Sequence, residues 1–213
     1  MNQIDTETIR KIIVWLENVK TRPPEFCDWF NSESVKNGLY WFQSALVNLD
    51  YNFPSSKGIA AESELDAGVT GLSEQSKARN LSDVEMTNEI LEVEINSWKQ
   101  FLAERIESYR SLVEKAIGEY AAIPYSHGEI EQRPYFDREK DFYMLYVVGW
   151  DNRKRIHNIN IHADIINGKI WIQHDNTEEG NVADLEREGV PKSDIVLAFH
   201  EPELRKHTEY AVA

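Results

Sequence analysis

A chain of 213 residues with 41% hydrophobic and 11% aromatic content has the material for a folded core, in one domain or two small ones, and lies outside the disordered class. A formal charge of −14 sets up an acidic field that repels phosphate, which disfavours nonspecific nucleic-acid binding unless a local basic patch overrides it. One cysteine, Cys27, excludes an internal disulfide and a Cys-rich metal site, and suits a reducing compartment. The opening MNQIDTETIRKIIVWLENVK has acids and a helical period where a signal peptide needs a basic flank and an apolar run. No stretch approaches the ~18 consecutive apolar residues of a membrane span, so the expected location is the cytoplasm.

The first predicted element is a helix capped by Asp5 or Thr6, with Ile9, Ile12, Ile13, Leu16 and Val19 at helical spacing. Thr21-Arg22-Pro23-Pro24 ends it, because proline lacks the amide donor and restricts the residue before it. A second helix is expected from Ser34 to Leu49 on the stripe Val35, Leu39, Phe42, Leu46 and Leu49. Trp15, Phe26, Trp29, Phe30, Tyr40, Trp41 and Phe42 make this segment aromatic, as the core of a small helical unit would be. Residues 52–80 are small and polar, without a sustained period, and read as loop.

Leu81-Ser82-Asp83-Val84-Glu85-Met86 then carries a helix start, with Ser82 and Glu85 as a capping box and Leu81 stapled on Met86. Apolar residues recur from Met86 to Tyr120 with no proline before Pro124. A helix of that span approaches ~60 Å at ~1.5 Å per residue, so it either serves two domains or breaks. The boundary is placed at residues 104/105, which gives a helical module over 1–104 and an α+β domain over 105–213.

Beyond Gly128 a strand is expected from Glu129 to Phe136, at an edge because Pro134 cannot donate to a ladder. Asp137 to Asp141 reads as a charged, solvated loop, and Phe142 to Val148 is apolar on both faces, hence central. Trp150 to Arg153 is read as the next connection. The following strand meets the strongest local signal in the chain, the hairpin turn Asn167-Gly168, whose type I′ geometry needs positive φ at both positions. The register that follows pairs Ile165 with Ile170, Ala163 with Ile172 and Ile161 with His174 on one face. On the other it pairs Ile166 with Lys169, Asp164 with Trp171 and His162 with Gln173. Asn181 to Glu188 is a short helix closed by Gly189, Ile195 to Phe199 is an apolar run that must be buried, and Thr208 to Ala213 is a candidate last strand.

VGW (Val148 to Trp150), H-x-D-I (His162 to Ile165), GKIWIQ (Gly168 to Gln173), GVPKSDIVLAF (Gly189 to Phe199) and TEYAVA (Thr208 to Ala213) follow in this order. Over about Ser108 to Ala213 the chain thereby resembles the XisI family, the fdxN-element excision controlling factors found mostly in cyanobacteria. Two departures stand out. Family members often read D-x-x-R-D-H-Y-Q-L where this chain has Asp137 to Leu145 with Phe142 in place of the histidine, and H-I-D-I where it has His162-Ala163-Asp164-Ile165. No role of that missing histidine carries over. The resemblance implies an XisI-like unit opened by a helix ending near Glu119-Tyr120-Ala121, preceded here by a module that many shorter relatives lack. The expected fold is α+β, an N-terminal helical module followed by an antiparallel β-meander covered by helices.

His162 and Asp164 share a strand face, where such a pair can orient a proton acceptor or bind a metal. Neither a cysteine nor a second close carboxylate completes a site, and the six histidines show no H-x-x-x-H or H-E-x-x-H spacing. No phosphate loop, Ser-His-Asp arrangement or nucleophile elbow is present, so no catalytic residue, metal or cofactor is expected. With Trp171, Gln173 and Tyr210 of the terminal TEYAVA, His162 and Asp164 are instead expected to form a partner-binding surface. Arg153, Lys154 and Arg155, beside Trp150, are the one tight basic cluster and the alternative DNA-binding site.

What the resemblance implies is a noncatalytic factor required when a separate recombinase excises a DNA element, encoded beside a XisH partner whose family looks nuclease-like. The leading expectation is antitoxin-like control of that XisH-like protein, within or beside a recombinase complex, with acidic groups meeting its basic residues. The rival is a DNA-binding directionality factor using Arg153 to Arg155. A third is a small hydrolase or nuclease using His162 and Asp164. A homodimer through exposed hairpin edges is a further expectation.

Overall fold

Thr8 donates its backbone amide to Asp5 Oδ1 at 2.6 Å, so Asp5, of the two candidates, caps the first helix. The computed structural model describes residues 4–21, 83–177 and 180–213. The helix expected over Ser34 to Leu49, the aromatic residues from Phe26 to Phe42, the loop over 52–80 and the capping box at Ser82 and Glu85 lie outside the described residues or side chains. The chain divides into two compact units, Met1–Ala103 and Glu104–Ala213.

In the first unit, α1 (Thr6–Lys20) buries Ile9, Ile12, Ile13 and Leu16 of the predicted stripe, whose fifth member, Val19, lies outside the described side chains. The opening part of α2 (Asp83–Ala121) buries Leu91, Ile95 and Trp98. Lys99 pairs with Glu17 at 2.6 Å and Lys20 with Glu92, which ties the polar margins of the two helices. Trp15 is 46% exposed and does not join this core. The long periodic segment does not break: α2 is one helix of 39 residues.

In the second unit, α2 supplies Tyr109, Val113 and Ile117, spaced by four residues so that they share a face. They pack with Tyr143, Leu145, Ile161, Ala163, Ile165, Ile170 and Ile172 of a sheet, as expected for a helix covering one sheet face. The sheet order is β1 (Glu129–Asp137), β2 (Phe142–Asp151), β3 (Lys154–Ile166), β4 (Lys169–Asp175) and β5 (Ile195–Leu197). The first four strands form the antiparallel meander, with β1 at the edge where Pro134 is tolerated. β5 pairs parallel with β4, so the sheet is mixed. The expected terminal strand reduces to a single bridge between Val196 and Ala211.

Several local expectations need correction. β2 continues through Trp150 and Asp151, because Asn152 at φ 51° closes the β2–β3 turn within two residues. Phe199 is 49% exposed, since β5 stops at Leu197. The Asn167-Gly168 turn has φ of 53° and 74°, and its first four rungs are those predicted. Beyond Ala163 a β-bulge intervenes, so His162 pairs with His174 and Ile161 with Asp175, leaving Gln173 as the extra residue. The loop Asp137 to Asp141 is more than solvated. Arg138 makes a two-pronged bond to Glu114 at 2.7 Å for each prong, and Arg110 does the same to Asp141 at 2.7 and 3.0 Å. These bonds fix the β1–β2 loop to α2.

α3 (Asn181–Arg187) ends at Gly189, whose φ is 91°, and a single 3-10 turn over Lys192–Asp194 leads into β5. In that turn Asp194 is completely buried, accepts from Tyr109 Oη at 2.7 Å and lies 4.0 Å from Arg105 Nη1. The GVPKSDIVLAF segment is thereby locked to α2. A last short helix, α4, spans Pro202–Arg205.

Burial, reinforced by the Asp141 carboxylate, holds the Tyr143 hydroxyl well above its usual range, and burial also raises Tyr120 and Tyr210. The unfolded chain ionises these phenols near ~10, below their folded values. Their contribution to stability is therefore complete below about pH 10 and lost as pH rises through the folded values. Thermal unfolding followed from neutral pH to about pH 11 is expected to show a falling midpoint, with a shallower fall in Tyr143→Phe. An equal fall in both proteins would show that Tyr143 contributes nothing to this pH dependence.

Candidate partner-binding face

The face of the sheet turned away from α2 is built by alternation. Because Tyr143, Leu145 and Val147 point into the core, Phe142, Met144, Tyr146, Val148 and Trp150 of β2 stand on the opposite side. The register places Asp164, His162, Ile159, His157 and Arg155 of β3 beside them in turn. Trp171 of β4 stands across from Asp164, and His174 across from His162. Among the described residues Phe142, Met144, Tyr146 and Val148 of this face are half-buried and Trp150 is exposed, with the C-terminal segment at the β4 and β5 end.

Within it a short polar string is held in place. Asp164 Oδ1 lies 3.3 Å from His162 Nε2, and Asp164 Oδ2 accepts from Gln173 Nε2 at 2.8 Å. Gln173 reaches Asp164 because the bulge moves it out of the rung it was expected to share with His162. The ring of Phe142, at the position of the missing family histidine, lies 4.7 Å from the His162 ring. The carboxylate thus engages both of its oxygens, and the imidazole lies tilted at 54° to the phenyl ring. Among the described residues no group of three or more His, Cys, Asp or Glu side chains is arranged to hold a metal.

Trp171 is half-buried under Arg205, whose guanidinium sits 5.4 Å from the ring centroid. The same guanidinium donates to the carbonyls of His200, Ala198 and Val212 at 2.8, 3.1 and 3.3 Å. Arg205 was not foreseen, since nothing in a short C-terminal helix signals that one cation will gather three carbonyls and a distant indole. Tyr210 does not join the other four predicted residues. It packs on the α2-covered core, donates its hydroxyl to Glu186 and lies under Lys192.

The basic cluster lies at the far end of the same face. Arg155 donates to the Gly149 carbonyl at 2.8 Å and stacks 5.4 Å from the Trp150 ring centroid. Arg153 on the β2–β3 turn and Lys154 at the start of β3 are exposed, and none of the three cations forms an ion pair with a described residue.

The model of the family described as XisI protein matches residues 103–212, slightly more than half of the chain. The chain belongs to the XisI family. Two solved structures are similar to it. One is a XisI-like protein from Anabaena variabilis ATCC 29413, 37% identical with a TM-score of 0.48. The other is the fdxN element excision controlling factor XisI from the same organism, 34% identical with a TM-score of 0.46. Each match covers 51% of this chain and 99% of the other. A search of curated proteins gives no match. The XisI match opens inside α2, so it takes in all five strands and the helix face that covers them, and leaves α1 outside. No helix among the described residues is long and apolar enough to cross a membrane.

Proposed function

We propose that this chain is a noncatalytic controlling factor of DNA-element excision that acts by binding a XisH-type, nuclease-like partner through the open face of its sheet. What carries the reading is the string His162, Asp164 and Gln173, locked by hydrogen bonds between the aromatic residues Phe142 and Trp171. A patch whose side chains are ordered before association loses little entropy on binding. The surrounding charge of −14 favours a partner whose basic residues otherwise hold DNA. The factor then competes with DNA for that surface.

The test is a titration of the full chain against a purified XisH-type protein at moderate salt. Asp164→Ala releases both His162 and Gln173 and is expected to weaken binding about 10- to 100-fold, as loss of a central anchor does. Arg153→Ala is expected to bind as wild type. Absence of a complex, or an unchanged affinity for Asp164→Ala with an intact circular dichroism spectrum, would overturn the proposal.

A further inference from the structure

β4 pairs with β3 only from Ile161 onward, so among the described residues Lys154 to Ile159 have β2 as their one ladder partner. Where β4 runs out, the last tie is the Asn176 amide donating to the Asn160 carbonyl at 2.9 Å. A shallow cavity of about 720 Å³ opens there, lined by Tyr146, His157, Asn158, Ile159, His174 and Asn176. Its chemistry is specific. Tyr146 and His157 meet edge to face, 5.0 Å apart at 89°, so one ring offers a flat face while the other is held upright. Ile159, across from Tyr146, supplies an apolar floor. Asn158 lines the rim from its place between His157 and Ile159, but its rung with Val147 puts its side chain on the other sheet face, whereas the side-chain amide of Asn176 makes one long contact of 3.5 Å to Asn160. A primary amide with a single long contact still offers a donor and an acceptor at one point. Ring faces beside amides that can pair with donors and acceptors are what an unstacked nucleobase requires.

The neighbouring rungs add charge. Arg155 is two residues before His157 on the same face, a separation of about 6.8 Å along a strand. Its bond to Gly149 uses one of five N–H donors, so others remain for a phosphate. Arg153 and Lys154 continue the cationic edge, without a carboxylate partner among the described residues. The Trp150 ring, 51% exposed beside Arg155, offers a second stacking surface. We propose that the Tyr146, His157 and Asn176 pocket, with Arg155 and Trp150 beyond it, is a nucleobase-binding site that takes single-stranded DNA along β3. A duplex keeps its bases stacked and cannot enter. The acidic charge of the whole chain repels phosphate, so stacking supplies the affinity and the three cations set the direction of the strand. The site adjoins the His162, Asp164 and Gln173 string at His174 but shares none of its residues, and its test involves no XisH-type protein, so either proposal can fail alone.

The experiment is fluorescence anisotropy of the full chain with a labelled, mixed-sequence single strand of about 16 nucleotides, the matching duplex, and a free nucleoside monophosphate as competitor. The single strand is expected to bind at least about tenfold more tightly than the duplex. With three phosphate contacts, affinity is expected to fall about twentyfold between about 50 and about 200 mM salt. Tyr146→Ala is expected to lose about tenfold, while Tyr146→Phe, which keeps the ring, retains binding. Competition by the monophosphate supports the same base pocket and marks a free nucleotide as its ligand. Equal binding of single strand and duplex, no binding of either nucleic acid or nucleotide, or an unchanged affinity in Tyr146→Ala would overturn the site.

Discussion

Asp194→Ala is expected to destabilise the XisI unit by about 3 kcal/mol. Asp194 has no exposed surface, accepts from Tyr109 at 2.7 Å and faces Arg105, whose side chain is only 10% exposed. Removing it deletes a charged acceptor and leaves a nearly buried guanidinium with less countercharge. Tyr109→Phe deletes only the hydroxyl and is expected to cost about 1 kcal/mol. Because the two side chains share one bond, the double variant should cost less than the sum of the single ones. Urea unfolding reads this as a midpoint lowered by about 1.5 M for Asp194→Ala at an m-value near 2 kcal/mol/M. A change within about 0.5 kcal/mol, the usual range for an unremarkable surface site, would show that Asp194 does not hold the GVPKSDIVLAF segment to α2.

Gly149→Ala is the second large effect. A Cβ at this position would lie 2.0 Å from the Glu129 carbonyl oxygen and 2.7 Å from Ile130 Cα, and both are backbone atoms of β1. No rotamer change relieves such a contact, so β1 must shift away from β2. The expected cost is about 2–3 kcal/mol, as for overpacking of a close-packed interior. β1 pairs with β2 alone, so hydrogen exchange is expected to report loss of protection across Glu129–Asp137 with the remaining strands retained. Gly118→Ala provides the opposite sign. Nothing lies within 4 Å of the point where a Cβ would stand on Gly118 inside α2, and alanine there is expected to stabilise by about 0.5–1 kcal/mol. If both substitutions behaved alike, the close approach of β1 to Gly149 would not be the reason for that glycine.

The parts of this fold that could be read from the chain are those set by short-range chemistry. The Asn167-Gly168 turn has one comfortable geometry, and it carries the register as far as Ala163. A run apolar on both faces identified β2 as central, Pro134 placed β1 at an edge, and the period of α1 named its buried face. The misses depend on distant partners. A bulge at Gln173 has no residue signature, yet it brings Gln173 onto Asp164 and moves His174 to the rung of His162. The parallel pairing of β5 and the two-pronged bonds of Arg138 and Arg110 join residues 24 to 31 or more positions apart, beyond the reach of any periodicity.

The candidate face was legible in the same measure. His162, Asp164, Trp171 and Gln173 were named because they alternate on strands, and the structure does place them together. Tyr210 was named only because it belongs to a terminal motif, and its hydroxyl turns to Glu186 instead. His157, Asn158 and Asn176 were passed over because their pocket forms only where β4 ends, a boundary that the sequence of β3 does not mark.

Whether the open sheet face competes with DNA for a XisH-type protein is read by coexpressing the two full chains and sizing the product with and without element DNA. One stable complex at moderate salt is expected, excluding duplex DNA and lost in Asp164→Ala. Separate elution of the two proteins, or a complex that still carries the duplex, would contradict control by competition at this face.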